Sequence, residues 1–375
     1  MPILYLANNL HPFFHECNSR LQKSRSFGKK SIIRGLTFAE SLLKYLVNHL
    51  AKGDIMGELT GVERISRQLR HGSVDRIGCY ESFWQHTLRR WRESGMAEDH
   101  DFGFDLGESW SFNLRLHPEA ADRLVAEDED TQTFIDGNGA TLRRHRKHDS
   151  TPEHLGYAIA DRDNWLELAK PLLTPEPRRI NFESYRQEKA KCAAQNRFFC
   201  WSGVNVFESI HPICGHENLL MGMALDPDWI RDMAETYADL WIGLMEELIA
   251  REGKPDGVWF YEDMGFKERP FMSPAMYREL IQPAHRRTCD FAHGHGLPVI
   301  MHSCGFVEPL LPDMIDAGID CLQAIEIKAG MDLLRIDRNF GERIALMGGL
   351  DVRPVAANDR AGIDRELETK LPVVK

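Results

Sequence analysis

His302 and Cys304 end the run Leu297-Pro298-Val299-Ile300-Met301-His302-Ser303-Cys304-Gly305, and their types and spacing suit metal chemistry. The run follows Gly296 and is short, apolar and β-branched, which fits a buried parallel strand. Side chains alternate along a strand, so an imidazole and a thiol two positions apart point to the same side. A borderline nitrogen donor beside a soft sulfur donor is part of a zinc site. Two donors do not complete one, and a third has to come from another segment. The plainer alternative is that His302 donates to a main-chain carbonyl and Cys304 packs as a small buried apolar residue.

The elements that would position these residues repeat as strand then helix. Thr60-Gly61-Val62-Glu63 is a capping box opening a helix to about Arg70, and Asp75 to Glu81 reads as a short strand ending in an acid. Ser82 then opens a helix stopped by Gly95. Residues 107–150 turn to alternation and charge, with Asp136-Gly137-Asn138-Gly139 as a hairpin turn between Thr131–Ile135 and Ala140–Arg143, an antiparallel excursion from the main domain. Phe198 to Trp201 reads as a strand followed by a loop, and Asp226-Pro227 starts a long helix ended by Gly253. The strand Gly257 to Tyr261 leads into Glu262-Asp263-Met264-Gly265. Ser273-Pro274 then caps a helix to about His293, kinked near Pro283. After the His302 strand come a helix over Pro309 to Ala317, a strand over Ile319 to Ile325, a helix from Met331, and a strand over Ile344 to Met347 running into Gly348-Gly349-Leu350-Asp351. This is the grammar of an α/β protein with a parallel sheet covered by helices. In such folds the chemistry gathers at the C-terminal ends of the strands, where Glu81, Glu262, His302, Cys304, Gln323, Glu326, Gly348, Gly349 and Asp351 fall. Four consecutive units without a Gly-x-Gly-x-x-Gly turn favour a (β/α)8 TIM-type barrel over an open dinucleotide-binding sheet.

Composition bounds the function. With 375 residues, 43% of them hydrophobic, the chain can bury a large core, and no apolar run approaches a membrane span. A formal charge of −11 argues against a nucleic-acid partner. Eight cysteines without framework spacing, and no visible signal peptide, suggest reduced thiols in a cytoplasm. Residues 1–55 carry eight Lys/Arg against three acids in an otherwise acidic chain. They read as a basic extension outside the fold, with translation starting at Met56 and the barrel spanning 56–375.

The stretch from Asp256 to Asp351 resembles the uroporphyrinogen decarboxylase superfamily. The likeness rests on Glu262-Asp263-x-Gly265, Ser273-Pro274 with Pro283, Gly296-x-Pro298 leading into His302-x-Cys304-Gly305, Gly318-x-Asp320, and Gly348-Gly349-Leu350-Asp351. Val62 to Glu81 matches more weakly, in the expected order. The resemblance implies a (β/α)8 barrel. The superfamily holds metal-free decarboxylases and zinc-dependent methyltransferases that work with corrinoid proteins. The decarboxylases carry an arginine-rich segment after the first strand that recognises substrate carboxylates. Here that place reads Tyr80-Glu81-Ser82-Phe83-Trp84, an acid where a cation is wanted. The methyltransferases carry His-x-Cys at the end of strand five, as His302 and Cys304 do. The balance therefore favours them, with zinc and a cobalamin or corrinoid on a partner protein as cofactors. The family continues past Asp351 to an eighth strand and final helix, so the barrel is expected to lack these, along with a distal cysteine ligand.

Zinc held by His302 and Cys304 with an open position would bind a thiol and deprotonate it for methyl transfer, or polarise the heteroatom of a methyl ether or amine. Glu262 is the first choice as third ligand, or as the carboxylate that orients His302. Cys321 is the other nearby sulfur, expected below the rim. Asp263 is expected to cap its loop or pair with Arg269. Glu81, Gln323, Glu326 and Asp351 are assigned to the pocket, and Gly348 and Gly349 to close approach of a cofactor or simply a tight turn. His293 and His295 are expected to face solvent, and Trp229 and Trp241 to be core. The competing functions are metal-free decarboxylation of a tetrapyrrole carboxylate and ligand binding without turnover.

Overall fold

The computed structural model of the chain describes residues 3–6, 58–147 and 151–372. Its first described helix, α1 (Gly61–Gln68), opens on the expected capping box: Thr60 Oγ1 accepts from Glu63 N–H at 3.2 Å, and the Glu63 carboxylate accepts from Thr60 N–H at 2.9 Å. Arg64 on this helix is buried and joins it to the chain that follows. Its guanidinium donates to both Asp75 oxygens at 2.8 and 2.7 Å and to Asp105 Oδ1 at 2.5 Å. Asp105 in turn accepts from Arg76 at 2.6 Å and from Cys79 N–H at 2.8 Å. Burial alone would raise the Asp75 pKa, but Arg64 and the N–H groups of Leu59 and Arg76 outweigh it and hold it at about 2.

Two short segments, β1 (Ile3–Leu6) and β2 (Cys79–Tyr80), and a third strand, β3 (Leu106–Ser109), begin the strand list. Four antiparallel strands follow: β4 (Arg123–Glu127), β5 (Thr131–Ile135), β6 (Thr141–His145) and β7 (Glu153–Gly156). Ile135 pairs with Thr141 across the Asp136-Gly137-Asn138-Gly139 turn, in the expected hairpin. The excursion begins later than the sequence suggested. Leu106–Ser109 pairs in parallel with β8 (Phe198–Val204) and belongs to the main sheet. From β8 the sheet runs on through β9 (Gly257–Tyr261), β10 (Val299–His302), β11 (Cys321–Ala324) and β12 (Ala345–Gly348), six parallel strands in all.

At the far edge β1 lies between β12 and β2, parallel to both. Four residues of the extension that the sequence reading set apart are therefore strand in this sheet, and the rest of it lies outside the described residues. The end strands β2 and β3 approach each other, with Asp105 N–H donating to Cys79 C=O at 2.8 Å.

Two apolar clusters divide the strands by phase. After the helices α2 (Gln85–Glu93) and α3 (Phe182–Ala194) come α4 (Phe207–Leu225) and α5 (Pro227–Glu252), and Val258, Phe260, Val299, Met301, Leu322 and Leu346 pack outward in the large cluster that includes α4 and α5. Trp229 and Trp241 sit there as core residues, as expected. Tyr80, Leu106, Cys200, Trp259, Ile300, Cys321, Ala345 and Met347 face inward in a second cluster. Helix α4 is an element the sequence reading called a loop. Its pattern is broken by Pro212 and by Gly215, whose φ of +81° interrupts the helix. Before helix α6 (Gln282–Gly294), a π-helical turn at Tyr277–Ile281 stands where a proline kink was expected. No described helix is long and apolar enough to cross a membrane.

Candidate metal centre

The inward phase decides which side chains meet at the strand ends. Ile300 faces in, so His302 and Cys304 continue the same side, and Cys304 Sγ lies 3.2 Å from His302 Nε2. His302 pairs in register with Tyr261, and Trp259 and Tyr261 face in, so the next inward position, just past the end of that strand, is Asp263. Asp263 Oδ1 is 3.2 Å from His302 Nε2 and accepts from Cys304 N–H at 2.7 Å. Among the described residues, Asp263, His302 and Cys304 form the group able to hold a metal ion, with ligand atoms within 4.8 Å of one another.

Two glycines allow this approach. A Cβ on Gly265 would come within 2.7 Å of the Gly305 carbonyl carbon, and one on Gly305 within 2.7 Å of Phe266 N, so the two loops touch backbone to backbone. Gly305 also has a φ of +80°. Glu326 steadies the same loop by accepting from Gly305 N–H at 2.8 Å, and it pairs with Lys328 at 3.4 Å. Gln323, fully buried and paired in register with His302, offers Oε1 to His302 Nδ1. An amide oxygen only accepts, so in the neutral ring Nδ1 carries the hydrogen and Nε2 presents its lone pair to the group.

Burial pushes His302 down, but the Cys304 sulfur and the Asp263 carboxylate outweigh it and hold the ring well above the usual imidazole range. Burial pushes the Cys304 thiol up against the opposing pull of His302. It would also raise Asp263, which His302 nevertheless keeps below the usual carboxylate range.

Glu262, chosen in the sequence reading as third ligand, points the other way. It is fully buried, and its oxygens accept from Phe207 N–H at 2.7 Å and Glu208 N–H at 2.9 Å, at the N-terminus of α4. His285 Nε2 lies 2.6 Å from the same carboxylate, and His285 Nδ1 meets the Tyr277 hydroxyl at 2.9 Å. Glu262 is thus turned away from His302, and its neighbour Asp263 is the acid that lies beside it. Cys321 sits in the inward core below the rim, its thiol pushed up by burial, outside the group.

Asp351 is taken up locally, accepting from Arg353 N–H at 2.9 Å and pairing with the Arg353 side chain at 2.6 Å. Gly348 and Gly349, with φ of +100° and +80°, make the tight turn in which Gly349 N–H donates to Ala324 C=O. His293 is exposed and bonded to Asp320 at 2.9 Å, while His295 is half-buried with Nδ1 3.0 Å from Phe291 C=O.

Several neighbours carried no signal that the sequence reading used. Glu108 ends β3 and accepts from the Tyr80 hydroxyl at 2.7 Å, with the Tyr261 hydroxyl at 3.4 Å. Glu81, assigned to the pocket, is half-buried beside them; it accepts from Ser82 N–H at 2.9 Å, and its charge, with that of Glu108, helps to raise both tyrosines above the ordinary phenol range after burial. On α4, Glu208 meets His211 at 2.9 Å, and the His211 ring stacks on His216 at 4.3 Å. Burial raises Glu208, and burial together with His211 lowers His216 to about 4. The alternation that places Asp263 with His302 was the available signal for the metal group. Glu108 follows from the same rule once Leu106–Ser109 is counted as a strand.

Residues 208–372 match the family model described as uroporphyrinogen decarboxylase (URO-D). That stretch contains β9 to β12 and all of Asp263, His302 and Cys304, and the matching model is that of the superfamily the motifs resemble. Among solved structures, one described as a methyltransferase from Methanosarcina mazei is similar over 78% of this chain and 83% of its own, with a TM-score of 0.50 and 13% sequence identity. The likeness is one of fold. No curated protein matches the chain in sequence.

Proposed function

We propose that the chain is a methyltransferase of the uroporphyrinogen decarboxylase superfamily in which Asp263, His302 and Cys304 hold a zinc ion. The reading is carried by the donor set and its spacing. Tetrahedral zinc with ordinary bond lengths separates its nitrogen and sulfur ligands by about 3.6 Å and its nitrogen and oxygen ligands by about 3.4 Å. The corresponding separations here are both 3.2 Å. Three protein donors leave a fourth position, the arrangement of catalytic rather than structural zinc.

When bound, such an ion would acidify an incoming thiol or polarise the heteroatom of a methylated small molecule. The chain's own residues do the rest. Gln323 fixes the His302 ring, Glu326 and the Gly265–Gly305 contact hold the Cys304 loop, and Glu262 anchors the strand end that presents Asp263. A corrinoid on a partner protein is the proposed second methyl carrier, supported by the superfamily resemblance. We read the eight strands as a TIM-type ring, which the Asp105–Cys79 hydrogen bond between the end strands supports.

The test is zinc stoichiometry of the purified chain by elemental mass spectrometry. One zinc per chain, lost in His302→Ala and Cys304→Ala, is the expected result. Zinc retained in both variants refutes the assignment. Turnover of a porphyrinogen by metal-free protein would establish the decarboxylase alternative instead.

A further inference from the structure

From the wall beside the metal group we infer that this mouth binds a methylated ammonium cation, which deepens the methyltransferase reading by naming a substrate class and rests on that reading for its catalytic meaning. The wall presents the rings of Tyr261 and Trp110, backed by the buried Trp259 and Tyr80. The Tyr261 ring lies 4.8 Å from His302, 5.5 Å from Trp259 and 4.7 Å from Trp110, while Tyr80 meets Trp259 at 5.4 Å. Trp110 is two positions beyond Glu108 in the same inward phase, yet it is 52% exposed. Its ring, packed against Tyr261, is thereby accessible to a ligand at the rim of the site.

The charge on this wall has one sign. Among the described residues the Glu108 carboxylate meets the hydroxyls of Tyr80 and Tyr261, and no lysine or arginine pairs with it. A carboxylate has room for about four hydrogen bonds, so two tyrosines leave acceptor capacity unused. Ring faces with a carboxylate among them are what an alkylated ammonium ion seeks, through cation–π attraction and ion pairing. The same wall repels a polycarboxylate. A quaternary nitrogen has no lone pair to give a metal, so such a donor has to be held by rings and carboxylate, as here. Transfer of its methyl to a thiolate forms one S–C bond and breaks one C–N bond. The amine leaves neutral with the electron pair, and no oxidant or reductant is required.

The experiment is calorimetric titration of the full-length chain, with zinc content measured on the same samples. The probes are choline, its neutral carbon isostere 3,3-dimethyl-1-butanol, and mercaptoacetate as an anionic thiol. Choline is expected to bind at least about tenfold more tightly than the isostere, with Glu108→Gln and Trp110→Ala each weakening choline about tenfold. Trp110→Phe, which keeps a ring, should restore most of the affinity and guards against a folding defect. Equal binding of the isostere, tighter binding of mercaptoacetate alone, no binding of choline, or variants that bind choline like the parent would each overturn the inference. Zinc present without choline binding removes only the substrate class; choline binding without zinc removes only the metal assignment.

Discussion

Glu262 and Asp263 are neighbouring acids to which the proposed centre gives opposite jobs, and exchanging each for its amide separates the two. Glu262 is fully out of solvent and accepts hydrogen bonds from Phe207 N–H, Glu208 N–H and His285. In Glu262→Gln one acceptor oxygen becomes an NH2 group and faces a donor it cannot satisfy. A buried donor left unpaired costs about 1–3 kcal/mol, at the upper end where its partner was a carboxylate, so a loss of about 3 kcal/mol is expected. Zinc should remain bound to the folded fraction. Asp263 has a side chain 42% exposed, and in Asp263→Asn the amide oxygen still accepts from Cys304 N–H. Stability should therefore change by less than about 1 kcal/mol. Zinc affinity should fall at least about a hundredfold, because partners one shell further out already account for about 10–100-fold. Urea denaturation followed by tryptophan fluorescence gives the first quantity, and competition with a chromogenic chelator gives the second. A stable Glu262→Gln protein that has lost its metal, beside an Asp263→Asn protein that keeps it, would refute the assignment of roles.

Gln323→Leu removes the acceptor that sets the His302 tautomer, and zinc affinity by the same competition should drop about 10–100-fold while the fold persists; unchanged affinity would show that the ring needs no such partner. The Arg64–Asp75 contact predicts a pH effect. The Asp75 pKa is depressed to about 2 from an unfolded value near 3.8, so its contribution of about 2 kcal/mol is complete above about pH 4 and is lost as pH falls through about 2. Asp75→Asn should remove this acid-dependent component from the stability profile between pH 5 and 2, and a profile parallel to that of the parent would contradict the linkage.

Much of the site was legible because alternation is local. His302 and Cys304 were placed together from their spacing alone, and the structure puts their donor atoms in contact. The third member of the group, Asp263, was not legible for a reason specific to parallel strands. Gly257 to Tyr261 is buried on both faces, Trp259 inward and Phe260 outward, so its apolar run does not say which side is the inner one. The register of Tyr261 beside His302 supplies that phase, and register is a long-range property. Helix α4 was hidden by Pro212 and Gly215, and β3 by having an acid and a glycine in a strand of four residues. The capping box at Thr60 and the hairpin at Asp136 were readable because each is closed by partners a few residues away.

The contact between Gly265 and Gly305 bears on which element the centre would accept. With no side chain wedged between the two turns, main-chain packing fixes the backbone positions from which Asp263 and Cys304 reach the group, and only their short side chains remain free to adjust. Turns seated this closely suit a small ion that takes nitrogen and sulfur, whereas calcium wants about six to eight oxygens at about 2.3–2.6 Å and a cage free to swell around it. Discrimination among cations would then be a matter of stiffness as much as of donor softness.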